Sequence, residues 1–183
     1  MSLAALLCLA GCSGSAKQET KPKPPPKEKP LLDQPLTVNM PHGEASIRSQ
    51  TPQRDLIYRI TWADGVVQVG NEGVFAGTME SVSGEFYEKS KLASTFQAEH
   101  AKADRDTDTL TLTGHVTVIS KAYNATLTCD KVEWRNKEKI VKAFGNIQIH
   151  GEMRGENGTF SGLDELWATP ALDYFATPGM FKP

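Results

Sequence analysis

Three histidines in the second half of the chain are the side chains most able to hold a transition metal. They are His100, His115 and His150. Zinc sites need three or four ligands at characteristic spacings, and no second ligand recurs at such a spacing here. His115 and His150 each stand beside an apolar residue, at positions that face outward on a strand. We therefore expect solvent-exposed histidines, no metal site and no cofactor.

An acidic run at positions 104–108, DRDTD, begins like a calcium-binding loop. Such a loop requires a glycine at its sixth position and a bidentate glutamate at its twelfth. Those positions hold Thr109 and His115, so the run is predicted to be a polar turn. Neither a Ser-His-Asp nucleophile elbow nor a phosphate-binding loop occurs in the sequence.

Four carboxylates keep one enzymatic alternative open. A fold could pair two of Glu80, Glu85, Asp130 and Glu133, as in glycoside hydrolases, but the sequence does not show such a pair. The formal net charge of −2 gives no reason to expect nucleic acid as a partner. We expect a protein that is not an enzyme and does not bind nucleic acid.

The elements that position these residues are strands of one alternating pattern, found twice between residues 109 and 150. The first copy has Leu110, Leu112, Gly114, Val116 and Val118, and thirty-one residues later the second has Val141, Ala143, Gly145, Ile147 and Ile149. Strict alternation places these residues on one face of a strand. Between the copies, Ala125, Leu127 and Cys129 alternate likewise, and Val132 and Trp134 resume after a one-residue slip. Such a slip is typical of a β-bulge.

Weaker copies of this unit flank it. Gly84 lies thirty residues before Gly114. A second set of residues lies thirty-one positions before Ala125, Leu127, Cys129, Val132 and Trp134: Ser94, Phe96, Ala98, Ala101 and Ala103. The alanine-rich segment 92–103 could form a short helix by propensity, but this offset favours a strand. A fourth copy, which matches the pattern only in part, covers residues 158–179. Paired strands that repeat every ~30 residues indicate stacked antiparallel strands in an all-β fold: a solenoid, an elongated jelly roll or a sandwich.

The N-terminus has the features of an export signal. Residues 3–10 are an apolar run that is too short to span a bilayer but long enough for a signal-peptide core. The sequence LAGC at positions 9–12 resembles the bacterial lipobox, whose cysteine receives lipid and becomes the mature N-terminus. We predict a lipoprotein signal peptide over residues 1–12 with Cys12 as the lipidation site, and a plain secretory signal is the alternative. Residues 1–3 carry no basic residue, so either the true start lies upstream or the signal is weak.

A linker and a single domain follow the signal. Residues 13–36 are rich in Pro and Lys, which predicts an extended spacer that holds the domain off a membrane surface. Residues 37–183 are the predicted β domain. Cleavage removes Cys8 and lipid modifies Cys12, so Cys129 is left alone and no disulfide is expected. Because Cys129 lies on the apolar side of its strand, we expect a small core residue.

The best-kept unit, residues 110–149, resembles the OstA-type repeat of the lipopolysaccharide-transport family that includes LptA and LptC. Its pattern is L-x-L-x-G-x-V-x-V, A-x-L-x-C-D-x-V-x-W and I-V-x-A-x-G-N-I-x-I, and the likeness covers roughly residues 75–180. The resemblance implies a twisted β jelly roll, open along one side, whose apolar interior receives the acyl chains of lipopolysaccharide. It further implies strand pairing, end to end, with other jelly-roll transport proteins across the periplasm, and an inner-membrane ABC transporter complex as a partner.

The familiar anchored member of that family uses a transmembrane helix, whereas Cys12 is the anchor predicted here. Which membrane holds that anchor, inner or outer, is therefore open. On the same resemblance, ten inward-facing residues are candidates for the lining of a lipid groove: Phe86, Phe96, Leu110, Leu112, Val116, Val118, Leu127, Val141, Ile147 and Ile149. The alternative is that they fill a closed core, as most alternating apolar residues do. A structural or adhesive envelope lipoprotein that binds partners and no lipid is the rival function.

Overall fold

The computed structural model describes residues 36–49, 51–70, 73–104, 107–153 and 156–182. The predicted signal peptide, Cys12 and the linker up to residue 35 lie outside these residues. Every regular element within them is a β-strand, which confirms the all-β prediction. The alanine-rich segment forms part of a strand, as the thirty-one-residue offset predicted, and is not a helix.

Eleven strands form one antiparallel sheet. In chain order they are β1 (Leu36–Asn39), β2 (Gly43–Arg48), β3 (Leu56–Trp62), β4 (Asp64–Gly70), β5 (Gly73–Glu88), β6 (Lys91–Asp104), β7 (Thr109–Ser120), β8 (Ala125–Arg135), β9 (Ile140–Met153), β10 (Glu156–Ala168) and β11 (Phe175–Ala176). From β4 to β11 each strand pairs with the next, while β1 pairs with β4 and β2 with β3. Thr61 of β3 lies opposite Ser83, and Asp64 of β4 opposite Glu80. β3 and β4 therefore run end to end along one edge of β5.

The long strands bend near their middles, along a line that crosses the sheet. The pairing of β7 with β8 shifts register between Thr113 and Val116, and that of β8 with β9 shifts between Thr128 and Lys131. A matching shift separates the two halves of the β6–β7 pairing. The slip predicted in β8 is therefore a β-bulge. We call this line of bulges the crease.

The crease folds the sheet into two layers that face each other. The ring of Phe86, from the second half of β5, lies 5.5 Å from the ring of Trp134 at the end of β8. These strands are not neighbours in the sheet, so the contact crosses the space between the layers. Ser94 of β6 likewise donates a hydrogen bond of 2.6 Å to the carbonyl of Pro170, in the loop after β10. One antiparallel sheet folded on itself in this way is consistent with the twisted jelly roll that the family resemblance implies, which is one of the three folds that the repeat left open.

The recurring glycine is required at the crease. Gly145 has a φ of +69°, and a Cβ there would lie 2.6 Å from Oδ2 of Asp130 on the neighbouring strand. The next residue, Asn146, donates from Nδ2 to the same oxygen at 2.8 Å. Thirty-one residues earlier, Gly114 has a φ of +80° and a Cβ would meet Glu99. In both repeats, the carboxylate packs over the glycine because no side chain is there.

One predicted glycine equivalence is wrong. The thirty-residue offset predicts that Gly84 is equivalent to Gly114, but the φ of Gly84 is not positive. The residue of β5 with a left-handed backbone is Ser81, whose φ is 51°. Gly84 is small for a different reason: a Cβ there would lie 2.3 Å from Cζ of the Phe96 ring on β6. It makes room for an aromatic ring, whereas Gly114 makes a bend.

The fourth copy is only half present. Its second-strand residues form β10, where Leu166 lies opposite Ala143 and Phe160 opposite Ile149. The rest contributes only the short strand β11, which pairs with the end of β10. The remainder of residues 169–182 forms turns that fold back over the sheet.

Candidate functional site

The apolar interior between the two layers is the candidate site, and the structure brings all ten predicted lining residues together there. They come from β5 (Phe86), β6 (Phe96), β7 (Leu110, Leu112, Val116 and Val118), β8 (Leu127) and β9 (Val141, Ile147 and Ile149). Each is at most 1% exposed, and all belong to one cluster. Alternation along each strand explains this, because every second side chain points into the shared interior.

Aromatic rings occupy the middle of the interior. The Phe86 ring lies 4.6 Å from the Phe96 ring, which is its neighbour in the sheet, and 5.5 Å from the Trp134 ring in the facing layer. Phe86 therefore joins the two layers. Burial of three large rings contributes strongly to stability, because aromatic side chains remove the most apolar surface from water.

Several interior residues were not among the predicted lining. The missed residues with large buried side chains include Ile60, Trp62, Met79, Trp134 and Leu166. Four of them lie on strands outside the best-kept unit, where the repeat is weak. Their alternation within their own strands was the available signal: Tyr58, Ile60 and Trp62 occupy every second position of β3 and are all buried.

The interior is packed with side chains, and its ends are partly open. At the β10 end, Phe160 lies opposite the inward-facing Ile149, yet it is 50% exposed. Its ring packs edge-on against the ring of Phe175 on β11, with 6.1 Å between the ring centroids. β11 pairs only with Trp167 and Ala168, so among the described strands none pairs with the rest of the outer edge of β10. At the opposite end, Leu36 of β1 is 66% exposed.

A small cavity lies on the side of the interior opposite the crease, which we call the seam. The seam runs between two rows of turns, one from each layer. The cavity has a volume of about 140 Å³ and is bounded by Asp55, by the β5–β6 turn, by the β8–β9 turn and by Pro170. Of the residues that line it, Trp134 and Ile57 belong to the core cluster. The seam cavity is therefore a point where solvent approaches the aromatic centre from the side.

Titratable groups near the interior are held neutral. Burial raises the pKa of the Cys129 thiol to about 11, so the thiol remains protonated and is a poor nucleophile. Burial also raises the pKa of the Tyr58 phenol, with smaller contributions from Asp108 and Asp104. Both groups are core residues, in agreement with the expectation for Cys129.

Three of the four carboxylates considered as a catalytic pair, and one of the histidines considered as metal ligands, have separate partners. Glu85 accepts a hydrogen bond of 2.6 Å from the Tyr87 hydroxyl, and Asp130 accepts from Asn146. Nζ of Lys131 lies 2.7 Å from Oε1 of Glu133. The hydrogen bond from Lys131 and a weaker contribution from Arg135 lower the pKa of Glu133. The exposed His115 bonds to Glu99 at 2.7 Å.

Within the described part of the chain, no group of His, Cys, Asp and Glu side chains is arranged to hold a metal ion. The same residues form no helix long and apolar enough to cross a membrane.

A sequence model of a known family matches most of the chain. The family is described as lipopolysaccharide-assembly, LptC-related, and its model matches residues 3–159. The chain belongs to this family. The resemblance drawn from the alternating unit is thereby confirmed. No curated protein matches the chain.

Membership of the LptC-related family fixes the broad role. Proteins of this family take part in lipopolysaccharide transport in the periplasmic part of the envelope, and they are transport components and not known enzymes. The folded sheet with its apolar interior is therefore the fold of a transport component.

Proposed function

We propose that the chain is a non-enzymatic carrier that binds the acyl chains of lipopolysaccharide in its interior. It passes them across the periplasm to a second jelly roll that is joined to it by strand pairing. The observation that supports this most directly is the inward-facing Phe160, which is half exposed beside the stretch of β10 whose outer edge pairs with none of the described strands. An apolar interior that reaches the surface at a free strand edge can continue into a neighbouring sheet.

The energetic need for such an interior is large. Each CH₂ of an acyl chain that is exposed to water costs about 0.8 kcal/mol, so a lipid with several chains needs an apolar route. Strands β5 to β9 supply one, because their inward side chains are apolar apart from Ser94 and Ser120 near the seam. Acyl chains would enter by displacing packed side chains, which exchanges one apolar contact for another.

Site-specific photo-crosslinking tests the carrier function. A photo-crosslinking residue is placed at inward positions Leu112, Val118 and Ile147, and matched controls carry it at the adjacent outward positions Thr111, Thr117 and Gln148. We expect lipopolysaccharide to be captured at the inward positions and not at the outward ones. Capture only at outward positions would rule out the interior as the binding site. Depletion of the protein should also retain newly made lipopolysaccharide at the inner membrane.

Strand pairing through β10 is tested with the same chemistry. A crosslinking residue at Ser161, which is exposed and next to the unpaired edge, should capture another jelly-roll transport protein. A control at Lys121, in the exposed β7–β8 turn, should not. Equal capture at both positions would argue against pairing at this edge.

Because an ABC transporter complex is the proposed partner at the other end, crosslinkers at Leu36 of β1 should capture one of its subunits.

The proposed anchor is a lipid on Cys12. Radioactive palmitate should label the wild type and not Cys12→Ser, and the variant should leave the membrane fraction. Separation of inner and outer membranes then shows which one holds the labelled protein. A variant that stays membrane-bound and a wild type without label would both contradict this anchor.

One observation favours a second candidate function, a structural or adhesive envelope lipoprotein with a closed β-stack. The ten candidate residues are fully packed, as in an ordinary core. This function predicts normal surface lipopolysaccharide after depletion and no lipid capture at any inward position.

A further inference from the structure

The three tryptophans of the chain differ in one respect. Trp62 donates from Nε1 to the carbonyl of Met40 at 2.9 Å, and Trp167 donates to Oε1 of Glu165 at 2.6 Å. Trp134 is 2% exposed, and none of the described residues accepts a hydrogen bond from its Nε1. A buried donor without a partner costs stability, and native proteins contain few of them. In a protein that binds a ligand, the ligand itself can supply the acceptor for such a donor.

The position of Trp134 connects this donor to the seam. Trp134 is the last inward residue of β8, contacts Phe86 in the centre of the interior, and also lines the seam cavity. It therefore lies where the apolar interior meets the lateral opening. A ligand whose chains fill the interior places its first polar group at this boundary.

The C-terminal segment covers this boundary. Residues 169–182, which we call the strap, cross the seam after β10. Leu172 is 2% exposed and joins the core cluster, and Pro170 lines the cavity. One side-chain hydrogen bond, from Ser94 to the Pro170 carbonyl, fastens the strap to the facing layer. Nε1 of Trp134 is enclosed, so a ligand reaches it only after part of the cavity wall moves, and the strap is the part of that wall which this hydrogen bond holds in place.

The charges around the cavity select a neutral acceptor. Lys89 and Lys139 supply two positive charges, and Asp55 and Glu88 supply two negative ones. This balance gives no net attraction for an anion such as a phosphate. A buried anion facing a single neutral donor would also be poorly stabilised. An ester or amide carbonyl, by contrast, needs only one good donor.

We propose that the seam cavity is a carbonyl-binding site, in which Nε1–H of Trp134 donates to the linkage carbonyl of an acyl chain when the strap lifts from Ser94. This site rests on the proposed function, since the chain of that acyl group occupies the interior. The structure thereby assigns a role to Trp134 that apolar packing alone does not supply: it distinguishes acyl chains from plain alkyl chains.

Two matched probes test the site. Dimyristoyl phosphatidic acid carries ester carbonyls, and its di-O-tetradecyl ether analogue has chains of the same length without them. Each competes with a fluorescent fatty-chain probe for the full chain in detergent solution. We expect wild type to bind the ester about tenfold more tightly than the ether, the range expected when a buried unpaired donor gains an acceptor. Trp134→Phe keeps the ring and removes the donor, so this ratio should fall to about one. The control Trp167→Phe should keep the wild-type ratio.

The outcomes separate the site from the function on which it rests. If wild type binds neither probe, the carrier function fails together with the site. If wild type binds both probes equally, the carbonyl site is refuted and the carrier function stands. A wild-type ratio that survives Trp134→Phe also refutes the site.

A measurement on the wild type guards against misfolding of the variant. The infrared carbonyl stretch of an isotope-labelled ester probe should move to lower frequency on binding, and an unshifted band overturns the proposal. Ser94→Ala, which unfastens the strap, should speed the binding of both probes and leave their ratio unchanged. An unchanged binding rate would refute the part played by the strap.

Discussion

The glycines offer a test of how the crease is built, because three of them separate two costs that usually occur together. Gly162 has a φ of +79° with no atom within 4 Å of an added Cβ, and Gly179 has neither a positive φ nor a neighbour. Gly145 has both a φ of +69° and the carboxylate of Asp130 at 2.6 Å. Replacement by alanine therefore introduces backbone strain alone at Gly162, no strain at Gly179, and both strain and a steric clash at Gly145.

The expected losses follow from these geometries. The left-handed region costs an alanine about 1–2 kcal/mol, and the restriction of the unfolded chain returns about 0.4–1 kcal/mol. Gly162→Ala should therefore destabilise by about 1 kcal/mol, and Gly179→Ala, which meets no strain, should stabilise by about 0.4–1 kcal/mol. At Gly145 the added Cβ also pushes Asp130 away from Asn146 and weakens their hydrogen bond, which adds about 1 kcal/mol. Gly145→Ala should lose about 2 kcal/mol in total.

Urea unfolding at 25 °C, followed by tryptophan fluorescence, measures these differences in the free energy of unfolding. Asp130→Ala supplies the decisive comparison, because the added Cβ meets no carboxylate in that background. There Gly145→Ala should cost only as much as Gly162→Ala does in the wild type. If Gly145→Ala and Gly162→Ala are equally destabilising in the wild type, the carboxylate does not constrain the crease. If both match Gly179→Ala, the backbone argument is wrong as well.

Three further predictions concern the interior and its charges. Phe86→Ala should destabilise by about 3–5 kcal/mol in urea unfolding, whereas the half-exposed Phe160→Ala should lose clearly less; equal losses would contradict the central position of Phe86. Between pH 9 and 11, stability should fall with rising pH because Cys129 keeps its proton in the folded state, with a pKa of about 11, and loses it at about 9 when unfolded. Cys129→Ala should reduce that fall, and a fall of unchanged size would refute the assignment. Because Lys131 and Arg135 lower the pKa of Glu133, its contribution to stability is present above the ordinary glutamate pKa and is lost as pH falls below it. Glu133→Gln should therefore flatten acid unfolding curves, and curves as steep as those of the wild type would refute this.

The sequence predicts the part of the fold that repeats. Period-two alternation identifies β7, β8 and β9 and their inward faces, because burial on one face of a strand requires that pattern. It also identifies the bulge in β8, since the apolar parity changes there. The equivalence of Gly84 and Gly114 fails because spacing does not tell a glycine that bends the chain from one that admits a ring.

The parts of the fold that occur once are harder to predict. The pairing of β1 with β4 and of β3 with β5 depends on contacts between segments more than twenty residues apart, which no local pattern reports. The strap is similar: Ala171 and Leu172 are buried in an irregular segment, and neither helical nor strand periodicity marks them. The seam cavity was missed for the same reason, since its walls come from turns that are distant in sequence.

A packed interior is compatible with the transport of lipid. When an acyl chain enters, apolar atoms of the protein exchange contacts with one another for contacts with the chain, so the loss of dispersion energy is small. The apolar surface of the chain leaves water at the same time, which supplies the driving force. The remaining obstacle is reorganisation, and it is smallest where packing among the described residues is incomplete. One such place is Phe160, which is half exposed at the outer edge of β10, and the other is Trp134 beside the seam, whose Nε1 meets no acceptor in the described part of the chain. Lipid entry should therefore begin at these two places, and the most tightly packed residues of β7 and β9 should be the last to move.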